Sequence, residues 1–251
     1  MTEEEKAAGW KLLFDGQSLA GWEDPASEDP PGDSWTVVDG CIRATNDPQI
    51  REDLPTLETF GDFELSWEWK ISQGGNSGLK YRIQDRVYLA EGLTNPDAKR
   101  FEDTVDYELT NRGTKRTDIT PGEKNEEYVV AFEYQLIDND GHPDARASLD
   151  RSAGAMYAMA APTEQVTRPV GEWNESRIVL RGMHVEHWLN GTKIVEADLD
   201  SEQVLAGVKK RWTTDSPVYQ MLAEQPQRKT PIVLQNHNDE AWFRSIKIRE
   251  F

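Results

Sequence analysis

The feature that most narrows the fold is strict alternation without long helical runs. DFELSWEWKI (62–71), GLKYRI (78–83), YVVAFEYQLI (128–137) and HVEHWLNGTKIVEA (184–197) place large apolar side chains at near-alternate positions, the period of a strand with one buried face. WKLLF (10–14), SWTVV (34–38), NESRIVLRG (174–182), PIVLQNH (231–237) and AWFRSIKIREF (241–251) add further β-type runs. Asp39-Gly40 and Asn190-Gly191 fall between such runs, and both dipeptides favour two-residue type I′ turns. Only SEQVLAGVKKRW (201–212) and 218–224 read as helical, with Ser201 as the N-cap of the first. Strands at this density predict an all-β sandwich of two antiparallel sheets with one or two short helices. The polar stretch at about 86–127 predicts a long loop decorating a single domain over 1–251.

Charge and cysteine usage remove several function classes. The 251 residues carry a formal net charge of −18, which argues against nucleic acid, since phosphate binding needs clustered Lys and Arg. Cys41 is the only cysteine, so neither an internal disulfide nor a Cys-rich zinc site is expected. No apolar run approaches the roughly 18 residues of a membrane span. MTEEEKAAGW (1–10) lacks the basic and apolar regions of a signal peptide. That leaves two expectations, a cytoplasmic chain or one whose leader is not part of this sequence.

The richest stretch is FEYQLIDNDGHPDA (132–145). Phe132, Tyr134 and Leu136 alternate with Glu133 and Gln135, so the two polar residues share the opposite strand face. Asp138 has the other parity, and a bulge near Ile137 would bring it round. The spacing Glu-x-Gln-x-x-Asp then resembles the Glu-x-Asp-x-x-Glu strand of laminarinase-type glycosidases, with Gln in place of the central carboxylate. Asp138, Asp140 and His142 are also the candidate ligands of a divalent metal, although the spacing does not fit a helix–loop–helix calcium site. An acidic turn explains the same residues without a metal. Gln235 and His237 share a face of their strand, and Lys80 and Arg82 share a face of theirs. Adjacent in one sheet, these would form a pocket of carboxylate, amide, imidazole and cation. Asn76, in the glycine-rich GGNSG (74–78), and Trp188, as a stacking platform or a core residue, complete the candidates for substrate contact.

Taken in order, GWKLLFDGQSLAGW (9–22), WTVVDGCI (35–42), DFELSWEWKISQGGNSGLKYR (62–82), EYQLIDNDGHPDA (133–145), GEWNESRIVLRGMHVEHWLNG (171–191) and PIVLQNHNDEAWFRSIKIREF (231–251) resemble the 3-keto-disaccharide hydrolase family. The chain departs where Gln-Asn-His (235–237) replaces the common Gln-Asp-His. The resemblance implies a concanavalin A-like jelly roll acting on glycosides already oxidised at C3. It also implies a sugar 3-dehydrogenase upstream and a periplasmic or secreted location.

A C3 ketone acidifies the C2 proton, and its removal allows the C1 oxygen to leave by β-elimination before water adds. That chemistry needs a base near C2, a donor at the C3 oxygen and an acid at the leaving oxygen. It needs no nicotinamide, and no dinucleotide fingerprint is present. On this scheme Glu133 or His142 is the base, Lys80 and Arg82 stabilise the enolate oxygen, and Asp138 or His237 is the acid. Gln135 and Gln235 orient hydroxyls. The alternatives are a retaining glycosidase built on Glu133 and Asp138, and a non-catalytic carbohydrate-binding or adhesion module holding calcium in its acidic cluster.

Overall fold

The computed structural model describes residues 1–90, 98–224 and 226–251. In chain order the strands are β1 (Lys11–Leu12), β2 (Trp35–Val38), β3 (Cys41–Ala44), β4 (Ile50–Arg51), β5 (Leu54–Pro55), β6 (Phe63–Ile71), β7 (Asn76–Ala90), β8 (Asn125–Ile137), β9 (Asn174–Arg181), β10 (His184–Leu189), β11 (Thr192–Asp198), β12 (Val233–Asn236) and β13 (Ala241–Glu250). The large sheet runs β11-β10-β9-β6-β13-β3-β2, with β1 also paired to β13. The small sheet runs β4-β8-β7-β12-β5. Every pairing between these strands is antiparallel except β4 with β8, which is parallel. The expected all-β jelly-roll sandwich of two sheets is therefore what the chain forms. The hairpin turns are formed as read: Asp39 and Gly40, and Asn190 and Gly191, all have positive φ, as type I′ turns require.

The helical content is larger than the alternation suggests. Alongside α4 (Glu202–Arg211) and α5 (Pro217–Ala223), the chain forms α1 (Glu3–Ala7), α2 (Phe101–Tyr107) and α3 (Pro143–Ala147). The anticipated N-cap holds, since Ser201 Oγ accepts from Val204 N–H at 3.4 Å. The 86–127 stretch is not simply a loop. Its first residues prolong β7, its last ones open β8, and α2 lies between. Glu126 and Glu127 interrupt apolar alternation, which conceals the beginning of the strand.

The core lies between the sheets. Trp67 and Trp69 of β6 face Tyr134 of β8, and Trp67 meets the Tyr134 ring edge-on at 5.0 Å. Several buried polar groups here are paired, as a low-dielectric interior favours, while the Trp67 indole N–H finds no partner among the described residues. The Trp69 indole donates to Ser176 Oγ at 2.8 Å, and the Tyr134 hydroxyl lies 2.9 Å from the same oxygen. His187 bridges the Tyr81 hydroxyl at 3.0 Å and the Gly154 carbonyl at 2.9 Å. Burial drives that imidazole down to about 4, so it is neutral at pH 7 and serves the core.

Two local irregularities set what faces outward. Between Tyr81 and Asp85, β7 bulges against β8, and Arg82 sits at φ 54°. The bulge breaks the parity that would have placed Lys80 and Arg82 side by side. Arg82 is instead 2% exposed and donates to the Gly182 carbonyl at 2.7 Å. Beyond β8, the Asp138 carboxylate accepts from the N–H groups of Gly74, Asp140 and Gly141 at 2.7, 3.1 and 2.9 Å. Burial pushes this carboxyl up, but the three donors outweigh it and hold it below its usual range. Asp138 thereby ties the β7 entry loop to the turn after β8.

Replacing Asp138 with Ala should destabilise the fold by about 1.5–3 kcal/mol, with Asp138→Asn costing less, as measured by urea unfolding at pH 7. Because the folded carboxyl titrates below its unfolded value, the wild-type advantage over Asp138→Ala is full above the unfolded pKa. It should shrink as pH falls through the folded one.

Candidate functional site

The pleat of the small sheet carries a row of polar side chains on its outer face. In register, Glu133 of β8 stands opposite Lys80 of β7, which stands opposite Val233 of β12. In the next row, Gln135 stands opposite Gly78, which stands opposite Gln235. The empty position at Gly78 is required. A Cβ there would lie 2.5 Å from Glu133 Oε1, well inside van der Waals contact. The missing side chain lets Glu133 lie between the two glutamines. With its amide nitrogen turned inward, Gln135 donates to Glu133 Oε1 and to the Ser77 carbonyl, both at 3.0 Å. Gln235 Nε2 donates to Glu133 Oε2 at 3.4 Å.

Around this row lies a cavity of about 210 Å³. Lys80 is buried in it and donates to Asp53 Oδ2 at 2.6 Å. The other Asp53 oxygen accepts from the Asn236 N–H at 3.1 Å, and the Asp53 N–H donates to Glu127 Oε2 at 2.9 Å. Glu127 in turn receives Arg86 Nε at 2.5 Å. On the other side, the chain after α3 runs along β8, and Tyr157 N–H donates to the Glu133 carbonyl at 3.1 Å. This brings the Tyr157 ring into the wall. Arg211, the last residue of α4, lies 5.3 Å from that ring and pairs with Glu102 at 3.2 Å. Phe101, Tyr128 and His237 also line the cavity.

Burial and charge set the protonation states. Glu133 is raised from the ordinary carboxylate range to about 7, chiefly by burial and further by Asp53, while Lys80 and Arg211 pull it back down. Burial opposes the charge on Lys80, but Asp53 and Glu133 outweigh it and raise its pKa. His237 is lowered to about 4 by burial and by the cations Arg51 and Lys80, so at pH 7 it is a neutral imidazole. Glu127 is raised to about 7 by burial and Asp53, against the pull of Arg86. At neutral pH the cavity thus holds the Lys80 ammonium and the Arg211 guanidinium, with two carboxyls, Glu133 and Glu127, near their midpoints. Such a carboxyl is suited to taking up and giving back a proton.

Of the residues singled out from sequence, Glu133, Gln135, Gln235, Lys80, His237 and Asn76 line this one cavity. The others lie elsewhere. Asp138 has its carboxylate committed to backbone donors at the loop. His142 caps α3, its Nδ1 accepting from Asp144 N–H at 3.1 Å. Arg82 is turned away by the bulge. Trp188 is on the outer face of the large sheet, half-buried, with Arg177 4.1 Å above its ring and its indole N–H on Glu186 at 2.8 Å. It is neither a core residue nor part of the cavity.

Asp138, Asp140 and His142 do not converge as ligands. Among the described residues, one trio brings its donor atoms within 4.8 Å of one another, His184, Glu186 and Glu196. Lys193 already pairs with both of those glutamates, at 3.3 and 2.5 Å. The residues that sequence reasoning missed are Asp53, Glu127, Tyr157 and Arg211. Arg211 ends the KKR run of a readable helix; the other three sit where alternation gives no facing signal.

Comparison with known proteins places this geometry in a family. Residues 9–249 match the 3-keto-alpha-glucoside-1,2-lyase-like domain. A 3-keto-disaccharide hydrolase from Bacteroides thetaiotaomicron is 30% identical over 256 residues, covering 97% of this chain and 79% of that protein. Among solved structures, a candidate glycosyl hydrolase from Parabacteroides distasonis ATCC 8503 superposes with a TM-score of 0.71 at 27% identity, covering 100% of this chain and 98% of the other. A second structure from that organism, at TM-score 0.61 and 24% identity over 96% and 99% of the two chains, shares the fold. With its match running nearly end to end, the chain belongs to the 3-keto-alpha-glucoside-1,2-lyase-like family.

Proposed function

We propose that this carbohydrate-active chain cleaves 3-keto-glycosides by C2 proton abstraction, β-elimination of the C1 oxygen and hydration. The observation that carries the reading is Glu133, a carboxyl raised to about 7 on the floor of a one-ring cavity, with the Lys80 ammonium in the neighbouring strand position. The relative's name supplies the substrate class, a 3-keto-disaccharide. Glu133 takes the proton from C2, and the electron pair moves into the C2–C3 bond as an enolate forms at O3. Lys80 stabilises that oxygen, a charge that exists only after proton loss and therefore lowers the barrier rather than the ground state.

The enolate then re-forms the ketone as the C1–O bond breaks, leaving a C1=C2 double bond. The departing oxygen needs a proton. His237 is neutral and gives up a proton poorly. Glu133, now a carboxylic acid with a pKa of about 7, is the better donor on the same face. Water adding across C1=C2 restores a 3-keto sugar. Gln135 and Gln235 hold the Glu133 carboxylate in place throughout.

The substrate must be supplied by oxidation of a glycoside at C3, so a sugar 3-dehydrogenase belongs upstream. The placement outside the cytoplasm that the resemblance implies is part of the same proposal. For a conventional retaining glycosidase, Asp138 is displaced from Glu133, and Asp53 is committed to Lys80 and the Asn236 amide. Cleavage of unoxidised glycosides at rates matching their 3-keto counterparts would restore that reading. Saturable sugar binding without any turnover would instead favour a binding module.

Glu133→Gln should lower kcat on a 3-keto-glucoside by about 10²–10⁴-fold with the thermal melt preserved, and wild-type product formed in D₂O should carry deuterium at C2. Near-normal turnover, or product unlabelled at C2, would sink the assignment. The kcat/KM profile should rise with pH through an acid limb near 7, as the base loses its proton. Since the Glu133 pKa is higher folded than unfolded, native stability should fall as pH climbs from the ordinary carboxylate range through about 7. Glu133→Gln should flatten that part of the stability curve, read from melting temperature against pH.

A further inference from the structure

The outer face of the small sheet does not end at the Glu133 cavity. β7 continues past its bulge, and in register Arg86 stands opposite Val129 and Tyr88 opposite Glu127. These residues belong to the same pleat face as Lys80 and Glu133. Over this half of the sheet lies a second cavity of about 600 Å³. Asp53 lines both spaces. The Arg86–Glu127 pair joins them, with Arg86 in the larger wall and Glu127 in the smaller. Beneath the junction Ile83, Val129 and Val233 form one apolar cluster with Ala131 packed against it, so the floor is continuous from one space to the other.

Size decides what each half can hold. Pockets that bury a whole small ligand run to roughly 300–1,000 Å³. At about 210 Å³ the Glu133 cavity falls short of that range and suits a single ring. The larger space falls within it. A two-ring glycoside whose C1–O bond lies over Glu133 must send its second ring somewhere, and the floor leads past Asp53.

The chemistry of the larger wall says which ligand fits. Its charges are balanced: Arg86 pairs with Glu23 at 2.6 Å, Arg116 with Glu52 at 2.5 Å and Lys115 with Asp85 at 3.5 Å, and Glu28 and Lys229, one of each sign, also line the wall. A wall of balanced charge offers little to an ionic ligand. It does offer many fixed donors and acceptors to hydroxyl groups, above an apolar floor suited to the C–H face of a sugar ring. Resting on the reading of the Glu133 site given above, we infer that the larger cavity is the leaving-group compartment and receives a neutral polyhydroxylated ring joined through the C1 oxygen. Binding there holds the scissile bond over Glu133, so energy from a part of the substrate that does not react supports the reacting part.

Thr59 and Thr117 line the larger cavity, are exposed, and lie outside the reaction machinery. Thr59→Trp and Thr117→Trp would fill the compartment while leaving Glu133, Lys80 and Asp53 untouched. Each variant should lower kcat/KM for a 3-keto-disaccharide at least about tenfold and leave methyl 3-keto-glucoside within about twofold of wild type. Equal losses on both substrates, or no loss on either, would overturn the compartment. Turnover of the methyl glycoside by the wild type separately tests the Glu133 reading. Should neither substrate turn over, glucose titration followed by NMR at the Gln84 and Gln227 side-chain amides still decides the matter. Saturable shifts abolished by Thr117→Trp support the compartment, and shifts that are absent or insensitive to the variant refute it.

Discussion

The pleat of β8 is the constraint on which the rest depends. Its inward residues, Phe132, Tyr134 and Leu136, are fully buried in the sandwich core, and its outward ones, Glu133 and Gln135, form the floor of the cavity. A one-residue slip would exchange the two sets, putting a carboxylate into the core and a tyrosine into solvent. The apolar energy of the sandwich therefore also fixes the position of Glu133. Tyr134, held between Trp67, Ser176 and the Trp188 carbonyl, anchors the strand one residue from Glu133.

Around that strand the cavity gathers charges that would each be unfavourable alone in a low-dielectric setting. Lys80 tolerates burial because Asp53 is 2.6 Å away, and Asp53 tolerates it because Lys80 and the Asn236 amide satisfy both its oxygens. Among the described residues, no cation forms an ion pair with Glu133. Its hydrogen-bond partners are neutral glutamine amides, and Lys80 acts on it mainly through space. That difference separates two neighbouring carboxyls: Asp53 is engaged in an ion pair with Lys80, and Glu133 is left close to its midpoint. Separation of this kind is how a site obtains a working acid–base group from ordinary side chains.

Much of this was legible from residue order, and the boundary has physical causes. Glu133, Gln135, Lys80 and Gln235 lie in regular strands, where parity alone assigns a face. Arg82 lies two residues beyond Lys80 but inside a bulge at positive φ, which no alternation rule anticipates. Asp138 was readable as acidic but not as a loop clamp, since its partners are backbone N–H groups whose convergence depends on two separate turns. Asp53 and Tyr157 come from short pairings made far along the chain, Trp22 with Thr56 and Tyr134 with Met156 being typical. Such residues are delivered by tertiary structure and leave no periodic trace. Their families of neighbours, and the resemblance running through the whole chain, carried information that single motifs lacked.

The bulge in β7 has a bearing on how such a cleft can change over generations. It divides one long strand into two registers, residues 76–81 under the smaller cavity and 85–90 under the larger one. An insertion or deletion in an unbroken strand rotates every side chain beyond it and scrambles both ends together. A strand with a built-in slip behaves more like a coupling between two shafts. The outer half can be re-registered, lengthened or given new side chains while the inner half keeps its phase. Selection can thus reshape the larger cavity without disturbing the smaller one.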